Sequence, residues 1–375
     1  MLNTLYCRKN NNPTASTLKN QKRHMLMTDK EIFDKVLTIG PDIKGYGGIA
    51  SVLQIYRREL PSFHYLRSNS RFGTVAGAFS LMALMCRLPF ARLKGRRILH
   101  VHTAAGKSFI RKSWIMSWGR FWGYKTIYHC HGAESKKYFE RRGINNIRSI
   151  LDRCSANIVL SQTWADYFTD IVGAEHVHVV HNIALPTGTA PKKPYSGVLR
   201  LLFMGAIGNR KGIFDLLDTI GANAAQWRGR IHLTVGGDGE MERFHDTVAG
   251  YGISDMVTYI GWATGEKKDL AFKSADIAIL PSYNEGLPVF ILEAMADGLP
   301  VISTCVGGIP DAVDDSNGIL TEPGDKKAIT DAINHYLTAP EDIEKHGRNS
   351  LSKINPYLPA SVVSTLGNIY RTLDQ

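Results

Sequence analysis

The stretch Pro281-Ser-Tyr-Asn-Glu-Gly-Leu-Pro-Val-Phe-Ile-Leu-Glu293 sets two carboxylates, Glu285 and Glu293, eight positions apart across a junction between a loop and a helix. The run before it, Ala275-Asp-Ile-Ala-Ile-Leu280, is short, apolar and closed by Pro281, and reads as a buried parallel strand. After it, apolar residues at 287, 290, 291, 294 and 295 have helical spacing, and Pro288 suits a first turn, where no N–H is needed. Such a helix opens with free backbone N–H groups near Gly286, Leu287 and Val289, a ready seat for a phosphate. Glu285 stands beside that seat. Glu293 shares a helix face with Val289 and Phe290, roughly 6–8 Å along the axis. A long polar guest with hydroxyls at both ends and phosphate between them fits all three points. A nucleotide-sugar has that layout.

Outward from this stretch, strand-like and helix-like runs alternate. Val36 to Gly40, Ile98 to Thr103, Lys125 to His131, Ala156 to Ser161 and Val177 to His181 form one series. Leu199 to Met204, Ile231 to Val235, Val257 to Ile260, Asp276 to Leu280 and Val301 to Ser303 form a second. Alternation of this kind predicts α/β domains with parallel sheets covered by helices on both faces. Three prolines within 185–197 mark a linker between the series. The expected division is a leader at 1–32, rich in Asn, Lys and Thr and disordered, then domains at 33–190 and 191–358, then a terminal helix within 359–375. Met25 and Met27 leave open whether residues 1–26 belong to the natural chain.

Charge is unevenly distributed. Residues 1–190 hold 28 Lys and Arg against 11 Asp and Glu, whereas residues 191–375 hold 17 against 23. A basic first half predicts an anionic partner, either lipid or nucleic acid. The stretch from Leu81 to Arg97 mixes Leu, Met and Phe with Arg87, Arg92, Lys94, Arg96 and Arg97. Further on, Arg111, Lys112, Trp114, Trp118, Arg120, Phe121 and Trp122 repeat the pattern. Both suit an anionic membrane interface, although core packing with a solvated face explains part of the pattern. The uncharged run from Phe72 to Cys86 is too short to span a bilayer comfortably. Five scattered cysteines without a C-x-x-C pair indicate neither a disulfide framework nor a zinc cluster. Together with the lack of an apolar signal segment, they point to a cytoplasmic location, or to a peripheral one on the inner face of the cytoplasmic membrane.

The motif Glu285-Gly-Leu-Pro288, the second Glu, the run Asp297-Gly-Leu-Pro-Val-Ile-Ser303 and Gly307-Gly308 together resemble the C-terminal domain of the retaining glycosyltransferases of family 4, of the bacterial polysaccharide type. The resemblance is strong over about residues 198–325 and looser before them. It implies the GT-B fold, two Rossmann-like domains facing across a cleft. The first would bind the acceptor and the second the nucleotide-sugar, with the terminal helix returning to the first. It implies that Glu285 holds hydroxyls of the transferred sugar and Glu293 those of the ribose. Arg210 and Lys211, in Gly208-Asn-Arg-Lys-Gly212, would stabilise the departing diphosphate together with the helix that begins at Gly286. Relatives carry a further Arg where this chain has Ala206. No cofactor and no metal is then expected, and no Asp-x-Asp pair is present to hold one.

The resemblance also implies that His131 contacts the donor sugar near the reacting carbon, that Gly47 and Gly48 approach donor phosphate and acceptor, and that Gly237 and Trp262 lie near the base. His102 reads either as a cleft residue or as a core histidine. His129 is expected on the opposite face from His131, as a structural residue, and Glu134 as a helix-start charge. The series Gly45-Tyr-Gly-Gly-Ile-Ala50 fits a dinucleotide fingerprint formally, but residues 63–70 lack the acidic residue that NAD binding needs. The implied activity is transfer of a hexose-type sugar from a nucleoside diphosphate to a glycan or lipid-linked acceptor in cell-surface polysaccharide synthesis, without nucleic acid as partner. The rival readings are a nucleotide-sugar epimerase or hydrolase on the same fold and, remotely, a nucleic-acid binder using the basic half. Sugar, base, acceptor, linkage and oligomeric state stay open.

Overall fold

A computed structural model describes residues 30–45, 47–69, 73–187 and 195–375, with backbone only for 73–76. Residues 1–29 of the expected leader, and 188–194 of the expected linker, lie outside the described residues. Residues 30–34 are helical and Ile32 and Phe33 are buried, so residues before the expected boundary at 33 already belong to the core.

Two six-stranded sheets make the frame. The first holds β1 (Val36–Gly40), β2 (His64–Arg67), β3 (Ile98–Thr103), β4 (Lys125–Cys130), β5 (Ala156–Val159) and β6 (Val177–Val179), in the order β2-β1-β3-β4-β5-β6. The second holds β7 (Leu199–Met204), β8 (Ile231–Gly236), β9 (Val257–Tyr259), β10 (Ile277–Leu280), β11 (Val301–Thr304) and β12 (Gly318–Thr321), in the order β12-β11-β10-β7-β8-β9. Every pairing is parallel. The central strands are covered on both faces, which is why they read as continuous apolar runs. β2 and β12 were not expected from the sequence. Both are edge strands of four residues with half-buried positions, so neither carries such a run.

The first sheet buries two cores. One face packs Leu37, Leu99, Val101, Tyr128 and Val159 against the helices Lys107–Phe121 and Gln162–Val172. The other packs Val36, Ile98, Ile127 and Ile158 beneath the helices Gly48–Glu59 and Pro359–Asp374. The terminal helix thus lies on the first sheet, with Val362, Leu366, Ile369 and Tyr370 inward and the Lys35 Nζ–Asp374 ion pair at 2.8 Å.

In each sheet the strand order reverses beside the first strand, between β1 and β3 and between β7 and β10. Crevices outside the carboxyl ends of such switch points are where open α/β sheets bind ligands.

Candidate functional site

At the second switch point the loop after β7 meets the loop after β10. The loop after β7 forms a short 3-10 turn, Asn209–Lys211, and ends at Gly212 with φ +70°. A Cβ on Gly212 would stand 1.9 Å from the Pro281 carbonyl oxygen, so only glycine lets the loops touch. Tyr283 N then donates to Arg210 O at 2.9 Å, and Arg210 Nη1 donates to Asn284 O at 3.1 Å. The consequence is a charge cluster. Glu285, nearly fully buried, accepts at Oε1 from Lys211 Nζ at 2.5 Å and from Ser282 Oγ at 2.8 Å, with Arg210 Nη1 at 3.7 Å. All three approach one oxygen; the other has no partner among the described residues. From the far side, Gly307 at φ +57° allows its chain to pack on the Glu285 carbonyl, and Gly308 N donates to Gly286 O at 2.6 Å.

The helix after this turn is Val289–Ala296. Pro288 is its N-cap residue rather than a member of its first turn, and it provides no side-chain cap. The first-turn amides therefore keep their donors for another acceptor. Leu287 is buried in the core of the second sheet, so only its backbone faces the site; Val289 is half-buried. Glu293 is buried one turn in, with Lys268 Nζ on its Oε1 at 2.5 Å. Burial raises its carboxyl above the ordinary value, and the Lys268 ammonium pulls the other way. Lys268 escaped the sequence reading because it sits in Glu266-Lys-Lys-Asp269, a charged first turn indistinguishable from a solvated one.

The first domain closes on this turn. A Cβ on Gly286 would lie 3.1 Å from Leu160 Cδ1 and 3.4 Å from the His131 carbonyl oxygen. Asn182 Nδ2 donates to Leu287 O at 2.7 Å, and Thr163 Oγ1 donates to Asp311 Oδ1 at 2.7 Å. His131, Glu285, Arg210, Lys211, Gly286 and Leu287 are therefore brought to one place. Gly47 and Gly48 stand at the other switch point, at the start of helix Gly48–Glu59, beside a cavity of about 300 Å³ also lined by Asp42 and Asn69. A Cβ on either glycine would meet nothing within 4 Å.

Four imidazoles stack on one face of the first sheet. His100 and His102 on β3, and His129 and His131 at the end of β4, have neighbouring ring centroids 4.1–5.1 Å apart. His129 therefore shares the face of His131 and does not point away from it, because positions two apart in a strand lie on the same side. His102 Nδ1 is 2.8 Å from His131 Nε2, and His100 Nε2 is 2.9 Å from His129 Nδ1. His100 Nδ1 meets Tyr370 Oη of the terminal helix at 2.6 Å. Burial keeps all four rings neutral, with His131 lowered to about 3. Nitrogen atoms of His100, His102 and His129 come within 4.8 Å of one another. The rings are stacked or tilted by at most 34°, so their in-plane lone pairs run side by side and do not converge on one ion.

Other expectations change in cause. At Gly237 a Cβ would strike Gly205 O at 1.9 Å, so packing of the loop after β8 on the loop after β7 by itself requires glycine there. Trp262 is exposed beyond β9. Glu134 does stand at the N-cap position of helix Ser135–Arg142, without a cap hydrogen bond. Lys112, expected in the basic surface stretch, is buried, with Ser108 Oγ at 3.1 Å.

Residues 190–352 match the family Glycosyl transferases group 1. The chain is 26% identical over 207 residues to the 2-deoxystreptamine N-acetyl-D-glucosaminyltransferase of Niallia circulans, covering 54% of this chain and 52% of that protein. It is 28% identical over 130 residues to the D-inositol 3-phosphate glycosyltransferase of Streptomyces griseus, covering 34% of this chain and 28% of that protein. The chain thus spans about half the length, or less, of these relatives. Among solved structures, sucrose-phosphate synthase from Thermosynechococcus elongatus superposes with a TM-score of 0.76 at 18% identity, covering 90% of this chain and 98% of that one. Anabaena HepE in complex with UDP and glucose gives 0.71 at 16% identity, covering 91% and 99%. The chain therefore has the GT-B fold, two parallel-sheet domains face to face, and its residues 190–352 match the Glycosyl transferases group 1 family.

Proposed function

We propose that this protein is a retaining glycosyltransferase that moves a hexose-type sugar from a nucleoside diphosphate to a hydroxyl of a glycan or lipid-linked acceptor. One observation carries the reading: two buried carboxylates, each with one oxygen held by a lysine, flank an uncapped helix start at the second switch point. Glu293 would take the ribose hydroxyls and Glu285 those of the sugar. The diphosphate would rest on the amides of Val289 and Phe290, with Arg210 and Lys211 alongside. As the bond from C1 to the phosphate oxygen breaks, its electron pair stays on the phosphate, where these cations and amides meet the growing charge. The acceptor oxygen bonds to C1 and its proton passes to the phosphate. No side chain is assigned as nucleophile in this scheme; the second Glu285 oxygen is offered to a sugar hydroxyl instead. HepE, solved with UDP and glucose, and the relatives named as glycosyltransferases support the choice of donor class.

A panel of nucleotide-sugars tests this by thermal unfolding. A true donor at a hundredfold excess over its Kd stabilises the native state by about 2.7 kcal/mol. Protection by none of them overturns the reading. Consumption of a protecting donor without any acceptor points to the epimerase or hydrolase instead.

The acceptor side favours a membrane surface. Among the described residues no helix is long and apolar enough to cross a membrane. The helices Gly73–Leu93 and Lys107–Phe121 nonetheless expose Phe79, Phe90, Leu93, Trp114 and Phe121 among Arg87, Lys94 and Arg97. Aromatics interleaved with cations suit the headgroup region of an anionic bilayer. The protein is expected to sediment with anionic vesicles and to be released by about 0.5 M salt, where the Debye length falls to about 4 Å and the attraction beyond contact is screened. Equal sedimentation with neutral vesicles would rule the electrostatic account out.

A further inference from the structure

His131 has one ring nitrogen turned inward and one left to the cleft. Nε2 lies 2.8 Å from His102 Nδ1. Among the described residues Nδ1 has no hydrogen-bond partner, and it is not among the fully buried unpaired atoms, so it keeps access to solvent. Both imidazoles are neutral, so each carries a single N–H. Two arrangements of the pair follow. If His131 donates from Nε2, then His102 accepts at Nδ1 and must hold its own proton on Nε2. That atom is fully buried without a hydrogen-bond partner. If His102 donates from Nδ1, its buried Nε2 is a bare lone pair, and His131 carries its proton on Nδ1. Orphaned buried N–H groups are rarer and costlier than under-satisfied acceptors. The second arrangement is therefore favoured.

We propose that His102 is a positioning residue that fixes His131 as the Nδ1–H tautomer. His131 thereby presents a hydrogen-bond donor, not an acceptor, to an oxygen of the nucleotide-sugar in the cleft. His102 cannot reach the substrate, since it is wholly buried between His100, His129 and the Tyr56 ring, whose centroid is 5.4 Å away. It acts only through the hydrogen bond to His131. The direction of that bond excludes His131 as the base that takes the acceptor proton and makes it a clamp on the donor sugar or its leaving oxygen. This role rests on the proposed donor reading; the tautomer itself does not.

The test is ring nitrogen-15 NMR of the ligand-free full chain at neutral pH, with His131 signals assigned from the His131→Gln variant. The expected spectrum has a protonated Nδ1 and an unprotonated Nε2 at His131. A protonated Nε2 overturns the proposal and means that His102 gives its own N–H to the face of Tyr56. In His102→Leu the Nδ1–H preference is lost and kcat falls about tenfold while KM for the donor stays within about threefold, the signature of an interaction made mainly in the transition state. Unchanged kcat in that variant, with its thermal stability retained, also overturns it. Since the spectrum is taken without donor, failure of the donor reading leaves this result standing.

Discussion

Glu285→Ala is expected to lower turnover at least about 100-fold, the scale of losing one preorganised electrostatic contact at a reacting centre. The expectation follows from where the charge sits. Lys211 Nζ and Ser282 Oγ hold Oε1, so the second oxygen is presented in a fixed direction and needs no reorganisation when a sugar hydroxyl arrives. Removing the carboxylate also leaves the mostly buried Lys211 ammonium without its anion, and that lysine then competes for the donor phosphate in a different place. Glu285→Gln separates the two effects. It keeps the shape and a hydrogen-bond acceptor but removes the charge, so it is expected to lose nearly as much kcat while KM for the donor changes little. Steady-state kinetics over the donor concentration, with thermal unfolding to confirm the fold, measure both. Activity near that of the parent protein in either variant would remove Glu285 from the reacting centre.

The pairing that drives this prediction joins residues 74 positions apart, and it was only half legible in the sequence. Both motifs were visible: cations between two glycines after a strand, and a carboxylate before a helix. What their spacing does not encode is strand order. β7 and β10 are neighbours because the chain leaves β7 in one direction for β8 and β9 and then returns to its other side. Hydrophobic periodicity reports that a strand is buried and is silent on which strand lies beside it. The same limit explains Lys268, whose partner Glu293 is set by the packing of two helices. Chain direction within a strand, by contrast, was available. The alternation of β4 was sufficient to place His129 with His131, and their stacking at 4.1 Å follows directly from it. Edge strands were the weakest signal. In His64–Arg67 the first three residues are half-buried and Arg67 is exposed, because one side of an edge strand faces no neighbour.

Lys112→Met is expected to stabilise the protein by about 4 kcal/mol at pH 6, with the gain vanishing as pH rises towards 10.5. Lys112 is 1% exposed, and among the described residues its ammonium finds only the Ser108 hydroxyl. Burial, and then the neighbouring Arg111 charge, push its pKa down from 10.5 to about 7. His102 and His131 feel the Lys112 charge but are held neutral, so neither supplies an anion. Between about pH 7 and 10.5 the unfolded chain binds a proton there that the native chain does not, so native stability rises with pH across that window. Below pH 7 both states are protonated and the full cost of a buried ammonium is present. At about 1.4 kcal/mol per pKa unit, a displacement of this size amounts to several kcal/mol. Methionine removes the charge and keeps an unbranched side chain of similar length. Urea unfolding of both proteins at pH 6, 8 and 10 checks the sign: the two stability curves should converge as pH rises. A methionine variant that is less stable at pH 6 would mean that the ammonium has a stabilising anionic partner, and the gap would then widen towards acid in the opposite direction.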